Sequence, residues 1–115
     1  MSLWADYHKE RLGWDEIREE GQGFVAYFIN PPVCQIKDAY VAPEFRKSDV
    51  ALRLRSRLTA AAKESGCTEI QTEIWPGLGD AESAMRFNIA NGFKIFAAEG
   101  GRIIMVKFIG EVSCG

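Results

Sequence analysis

Apolar and polar positions change their period several times along this chain, and each change marks an element. Leu3, Tyr7 and Leu12 fall at helical spacing with Gly13 behind them, which predicts a short helix over 3–12. Residues 14–19 give only a poor strand signal. Residues 24–30 give a much better one, and the Asn30-Pro31-Pro32 turn leads straight into a second strand, 35–41, as in an antiparallel meander. Pro43 stops that strand. From Val50 the period becomes helical again: Val50, Leu54, Leu58 and Ala61/Ala62 share one face, Arg53 and Arg57 another, and Gly66 closes the helix. Residues 67–75 (CTEIQTEIW) then alternate, with Thr68, Ile70, Thr72 and Ile74 facing one way and Glu69, Gln71, Glu73 and Trp75 the other. Residues 93–97 and 102–109 flank Glu99-Gly100-Gly101 as a hairpin.

The order strand, helix, strand in the middle of the chain has a consequence for chemistry. A crossover through a helix of this length makes the two strands parallel and the connection right-handed, so the helix starts at the carboxyl edge of the sheet. Unpaired amides and the positive end of the helix dipole collect there, where an anion would find several donors. The fold class is therefore α/β (α+β): one domain over 1–115, with a mixed, mainly antiparallel sheet split by one parallel pair. The last strand is almost wholly apolar and needs cover on both faces, from within the domain or from a second copy, so a homodimer is expected.

The segment from Val41 into this helix resembles the acyl-CoA-binding segment of the GNAT (GCN5-related) N-acetyltransferase superfamily. Val41, Pro43, Glu44, Phe45 and Arg46 stand as its lead-in, and Arg46, Lys47, Ser48, Asp49, Val50 and Ala51 as its diphosphate-binding turn. Downstream, AMRFNIANGFKIF is similar to a second family landmark, a short helix before a Gly-Phe pair, here Gly92 and Phe93. Together the landmarks span about half of the chain, and the compact outline is like that of small GNAT-like proteins of phages and prophages. The resemblance implies transfer of an acetyl group from acetyl-CoA, as co-substrate, to a primary amine of a small molecule or peptide by direct attack. It also implies a domain shortened at its N-terminus. Backbone amides of residues 47–51 would hold the pyrophosphate, Arg46 would help neutralise it, and an amide near Ile74 would polarise the thioester carbonyl.

Two positions depart from the family pattern. Asp49 replaces a glycine, and a carboxylate about 6 Å from a phosphate at an effective dielectric near 20 costs roughly 3 kcal/mol. Arg46, Lys47, Arg53, Arg55 and Arg57 are placed to offset this. Equally, Asp49 or Ser48 suits the helix N-cap, in which case its oxygen takes the donors a phosphate needs. Asn88 stands where many relatives carry a tyrosine that protonates the departing thiolate; Asn has no proton to give at neutral pH but, as a third catalytic candidate, can still hydrogen-bond the sulfur or orient a water. A catalytically impaired binding or interaction module is therefore the alternative reading. For the base that takes the amine's proton, Glu73, near the end of the second parallel strand, comes first and Asp38 second. Tyr40 and the three tryptophans read as core.

Composition narrows the partners. The 115 residues are 47% hydrophobic with a net charge of −2 and a pI near 5.4, enough for a real core and against nucleic acid as a partner, although the Arg53/Arg57 face is suited to a phosphate. No apolar run reaches the length of a membrane span and no leader pattern opens the sequence, so a cytoplasmic protein is expected. Three well-separated cysteines, Cys34, Cys67 and Cys114, and a single His8 form no metal-ligand spacing, and Cys67 reads as a small hydrophobe.

Overall fold

The computed structural model describes residues 3–46, 48–77 and 79–110. Helix α1 (Leu3–Leu12) leads into strands β1 (Asp15–Glu19), β2 (Gly23–Asn30) and β3 (Val33–Val41), and a short 3-10 turn, Pro43–Phe45, precedes helix α2 (Val50–Glu64). Strand β4 (Glu69–Ile74), helix α3 (Ala81–Ala90) and the hairpin β5 (Lys94–Glu99) and β6 (Arg102–Phe108) follow. Among the described residues the strands form one six-stranded sheet in the order β1-β2-β3-β4-β6-β5, with β3 and β4 its parallel pair.

Helix α2 forms where its spacing predicts and buries Val50, Leu54, Leu58 and Ala62. Each of its two buried leucines contributes roughly 1.5–3 kcal/mol of burial against the sheet. Facing them are Val25 and Tyr27 of β2, Cys34 and Ile36 of β3, Ile70 and Ile74 of β4 and Met105 of β6. Cys67 is buried with them as a small apolar residue, and burial pushes its thiol pKa up.

Strand β1 is stronger than its sequence signal. DEIRE carries one buried apolar residue, Ile17, yet all five residues pair with β2, and Arg53 of α2 holds Glu19 at 2.9 Å. In the last strand the expected cover is incomplete: Ile104 and Met105 are buried, but Phe108 is 79% exposed. Phe96 and Ile95 of the edge strand β5 are exposed as well.

The feature that shapes the centre of the sheet is a bulge in β3. Tyr27 lies opposite Ile36 and Ala26 opposite Asp38, so Lys37 is the extra residue. A bulge bends its strand and raises its twist. Parallel pairing with β4 covers only Val33–Gln35 against Glu69–Gln71 and ends just before the bulge. Beyond it the two strands diverge, and the edge of β3 over 37–41 is left without a strand on the β4 side. At Gly23 the neighbouring strand comes so close that a Cβ would lie 2.5 Å from the carbonyl oxygen of Tyr40. Gly92, at φ +92°, makes the turn from α3 into β5 that a side chain would strain.

Candidate functional site

The divergence of β3 and β4 opens a crevice of about 110 Å³ lined by Gln35, Ile36 and Lys37 on one side and Gln71, Thr72, Glu73 and Trp75 on the other. Main-chain groups alternate sides along a strand. The carbonyl of Thr68 accepts from Ile109 on the β6 side, and Ile70, Thr72 and Ile74 continue that row, Ile74 opposite Ile103. Gln71 and Glu73 therefore turn their N–H groups toward β3. The amide free to meet a carbonyl in the crevice is that of Glu73, one residue before the expected Ile74.

At the same edge lies the N-terminus of α2. Asp49 sits at the N-cap position with φ −84° and makes no capping bond through its side chain. Its backbone conformation is open to any residue, so the missing glycine does not distort the turn. Ser48 Oγ donates to the Phe45 carbonyl at 2.5 Å and receives only a long bond, 3.4 Å, from the Val50 amide. Among the described residues the amides of Ala51 and Leu52 have no acceptor, so the donors an anion needs are open. Arg46 leans over the Tyr40 ring at 5.7 Å and donates Nε to the Val41 carbonyl at 3.1 Å, with no carboxylate partner among the described residues. Tyr40, expected in the core, is half exposed and forms this platform. Lys47 lies outside the described residues.

Arg53 and Arg57 do not serve the turn. Arg53 binds Glu19 and Gln22, and Arg57 donates to the Arg18 carbonyl, so both hold α2 to the β1–β2 hairpin. The Arg53 guanidinium keeps the Glu19 carboxyl below its ordinary pKa. Spacing of four residues put the two arginines on one face correctly; that face meets protein.

Of the two carboxylates expected as bases, Glu73 lines the crevice and is paired with Arg102 at 2.7 Å. Asp38 is exposed one residue past the bulge and accepts from the Ala39 amide. Asn88 is 1% exposed, donates to Met105 Sδ at 3.7 Å, and leaves its Oδ1 without a partner; it borders neither of the cavities described. The sequence reading placed Trp75 in the core, but it is half exposed on the crevice wall.

A second cavity, about 150 Å³, runs from the start of α2 along the free edge of β3 to α3. Its walls include Phe24, Tyr40, Val41, Ala51, Arg55 and Phe87. Val41 and Ala51 were expected at such a site, whereas Phe87 and this use of Arg55 were not. No group of three or more His, Cys, Asp or Glu suited to a metal ion occurs among the described residues, and no helix among them is long and apolar enough to cross a membrane.

A mixed sheet split by a bulged strand, with an open helix N-terminus at the split, is the frame of the GNAT fold. The model of the Acetyltransferase (GNAT) family matches residues 2–82, and the chain belongs to that family. No curated protein is a significant sequence match. Among solved structures, the PaiA N-acetyltransferase of Thermoplasma acidophilum in complex with coenzyme A is 22% identical, with a TM-score of 0.68; the alignment covers 76% of this chain and 53% of that one. Ard1 of Thermoplasma volcanium is 21% identical at a TM-score of 0.73, over 95% of this chain and 79% of its own. YncA of Salmonella typhimurium, solved with its cofactor acetyl-CoA, is 17% identical at a TM-score of 0.68, covering 98% and 74%. At such identities these likenesses speak for the fold.

Proposed function

We propose that this chain transfers the acetyl group of acetyl-CoA to a primary amine by direct attack. The observation that carries the reading is the meeting of two openings at one sheet edge: the crevice where the β3–β4 ladder ends, and the unoccupied amides at the start of α2. The diphosphate would rest on the Ala51 and Leu52 amides beside Arg46, with residues 48–50 forming the turn beside it. The coenzyme's arm would follow the free edge of β3 and bring the thioester into the crevice, its carbonyl oxygen on the Glu73 amide. The acceptor nitrogen attacks that carbonyl carbon. A C–N bond forms, the C–S bond breaks, the amine's proton passes to the Glu73 carboxylate directly or through water, and the thiolate leaves to be protonated by solvent. Arg102 holds the carboxylate in place. Asp38, on the exposed stretch past the bulge, is the second candidate base.

Isothermal titration with acetyl-CoA tests the coenzyme site, and thiol release with a panel of primary amines tests transfer. Micromolar binding with amine-dependent release supports the reading. Absence of binding refutes it.

A second reading keeps the coenzyme-shaped turn but not catalysis: an impaired interaction module of the phage or prophage type. The burial of Asn88 against Met105 favours it, since no acid stands near the leaving sulfur on that helix. Coenzyme binding without thiol release for any amine supports this reading. In either case we propose a cytoplasmic homodimer paired through β5 and β6, where Phe96 and Phe108 are exposed; sedimentation equilibrium would refute it by returning a monomer.

A further inference from the structure

Arg55 is the misfit of α2. Leu54 and Leu58, its neighbours on the buried side, are apolar, yet Arg55 is drawn inward, its guanidinium 5.2 Å from the Phe87 ring centre and 5.4 Å from that of Phe93. Its Nη1 is shut off from solvent without a hydrogen-bond partner. Arg55 makes no ion pair with any described residue, and the Arg18 to Arg102 pairs all lie elsewhere. A buried cation without an acceptor is costly, and such a group persists where something else depends on it. Burial accordingly lowers its pKa to about 10. Two aromatic faces cannot supply hydrogen-bond acceptors, but they fix where the guanidinium lies.

Arg55 also lines the 150 Å³ cavity that begins at Ala51. Ala51 and Arg55 are four residues apart on α2, about 6 Å along its axis and on one face. The Arg55 guanidinium lies against Phe87, which forms the α3 wall of the same cavity. We propose that Arg55 binds the pantetheine arm of the coenzyme, donating to the hydroxyl or first amide carbonyl just beyond the diphosphate. The assignment rests on the coenzyme reading above. It makes Arg55 a binding residue that reads the arm, complementing the α2 amides that read the diphosphate.

Dephospho-CoA and ADP share the adenosine diphosphate and differ by the arm, so the pair separates the two roles. Titrations of wild-type protein and the Arg55→Met variant with both ligands are expected to show a roughly 10- to 100-fold loss for dephospho-CoA, the range of a hydrogen bond from a charged donor, with ADP affinity held within about twofold. Arg46→Ala is expected to weaken both. Equal losses on both ligands, or undiminished dephospho-CoA binding by Arg55→Met, overturn the assignment while leaving the coenzyme site standing. Wild-type protein that binds neither ligand overturns both. If Arg55→Met does not fold, Arg55→Lys carries the test. A fall in the ratio of dephospho-CoA to ADP affinity supports the role, and an unchanged ratio refutes it.

Discussion

Replacing Arg55 by methionine should make the ligand-free protein more stable, an unusual expectation for the loss of a half-buried side chain. Lowering the guanidinium's pKa from its ordinary value to about 10 corresponds to a penalty of roughly 3 kcal/mol for holding the charge in the fold. A base with a depressed folded pKa binds fewer protons folded than unfolded between those two values, so its penalty is fully present at neutral pH and fades only as pH rises through about 10. Against this stand the contacts with Phe87 and Phe93, each worth about 0.5–1 kcal/mol at an exposed site and about 2 when desolvated, part of which methionine keeps through sulfur–ring contact. The balance is a gain of about 1 kcal/mol, or a rise in Tm of roughly 4 °C for a domain of this size. Thermal melts at pH 7 of the two proteins without ligand measure it directly. A lower or unchanged Tm would show that the charge is compensated in the fold, and the reasoning would fail. A more stable variant that has lost the coenzyme's arm would mark a site kept at the expense of stability.

Glu73→Gln is expected to lower kcat about 10²- to 10⁴-fold with the acetyl-CoA KM little changed, as for loss of a general base; a kcat within twofold of wild type would move the role to Asp38 or to water. Asp49→Asn removes a carboxylate that makes no capping bond, so coenzyme binding should tighten at low salt, by up to about a hundredfold where Arg46 offsets none of the repulsion, while stability drops by less than about 1 kcal/mol; weaker binding would refute the repulsion. Gly23→Ala drives a Cβ against the Tyr40 carbonyl and should cost about 1–3 kcal/mol in a urea melt, a prediction lost if the midpoint stays put. Burial holds the Cys34 thiol up at about 12, so Cys34 should stay unlabelled by a disulfide reagent at pH 8 until urea unfolds the chain; rapid native labelling would contradict its burial.

Periodicity carried most of the fold. The buried row Val50, Leu54, Leu58, Ala62 and the alternation Ile70, Thr72, Ile74 each needed only local spacing, and both lie where they were read. Strand β1 was faint because a single apolar residue, Ile17, anchors it; partners from β2 and α2 do the rest. The bulge at Lys37 has no local signature, since it arises from register between two strands, yet it decides where the crevice opens. Asp49 was readable as cap or as repulsive charge, and side-chain direction alone chooses between them. Arg53, Arg55 and Arg57 look alike in sequence. The outer two share a face that sequence alone leaves open to solvent or to a phosphate, but the β1–β2 hairpin occupies that face, and the placement of α3 is what singles out Arg55.

The sheet has a mechanical character that follows from the shortness of one ladder. Strands β1–β3 form one leaf and β4–β6 another, and their backbones are laced together along a short stretch, Pro32–Gln35 against Thr68–Gln71, with α2 bridging the back. A molecule lodged in the gap touches both leaves beyond the lacing and acts as a clasp. Occupancy should then slow amide exchange on the far half of β3 and on β4 together, though they are not neighbours in sequence. The gap proposed to receive the coenzyme is thus also the seam at which the empty domain is easiest to open.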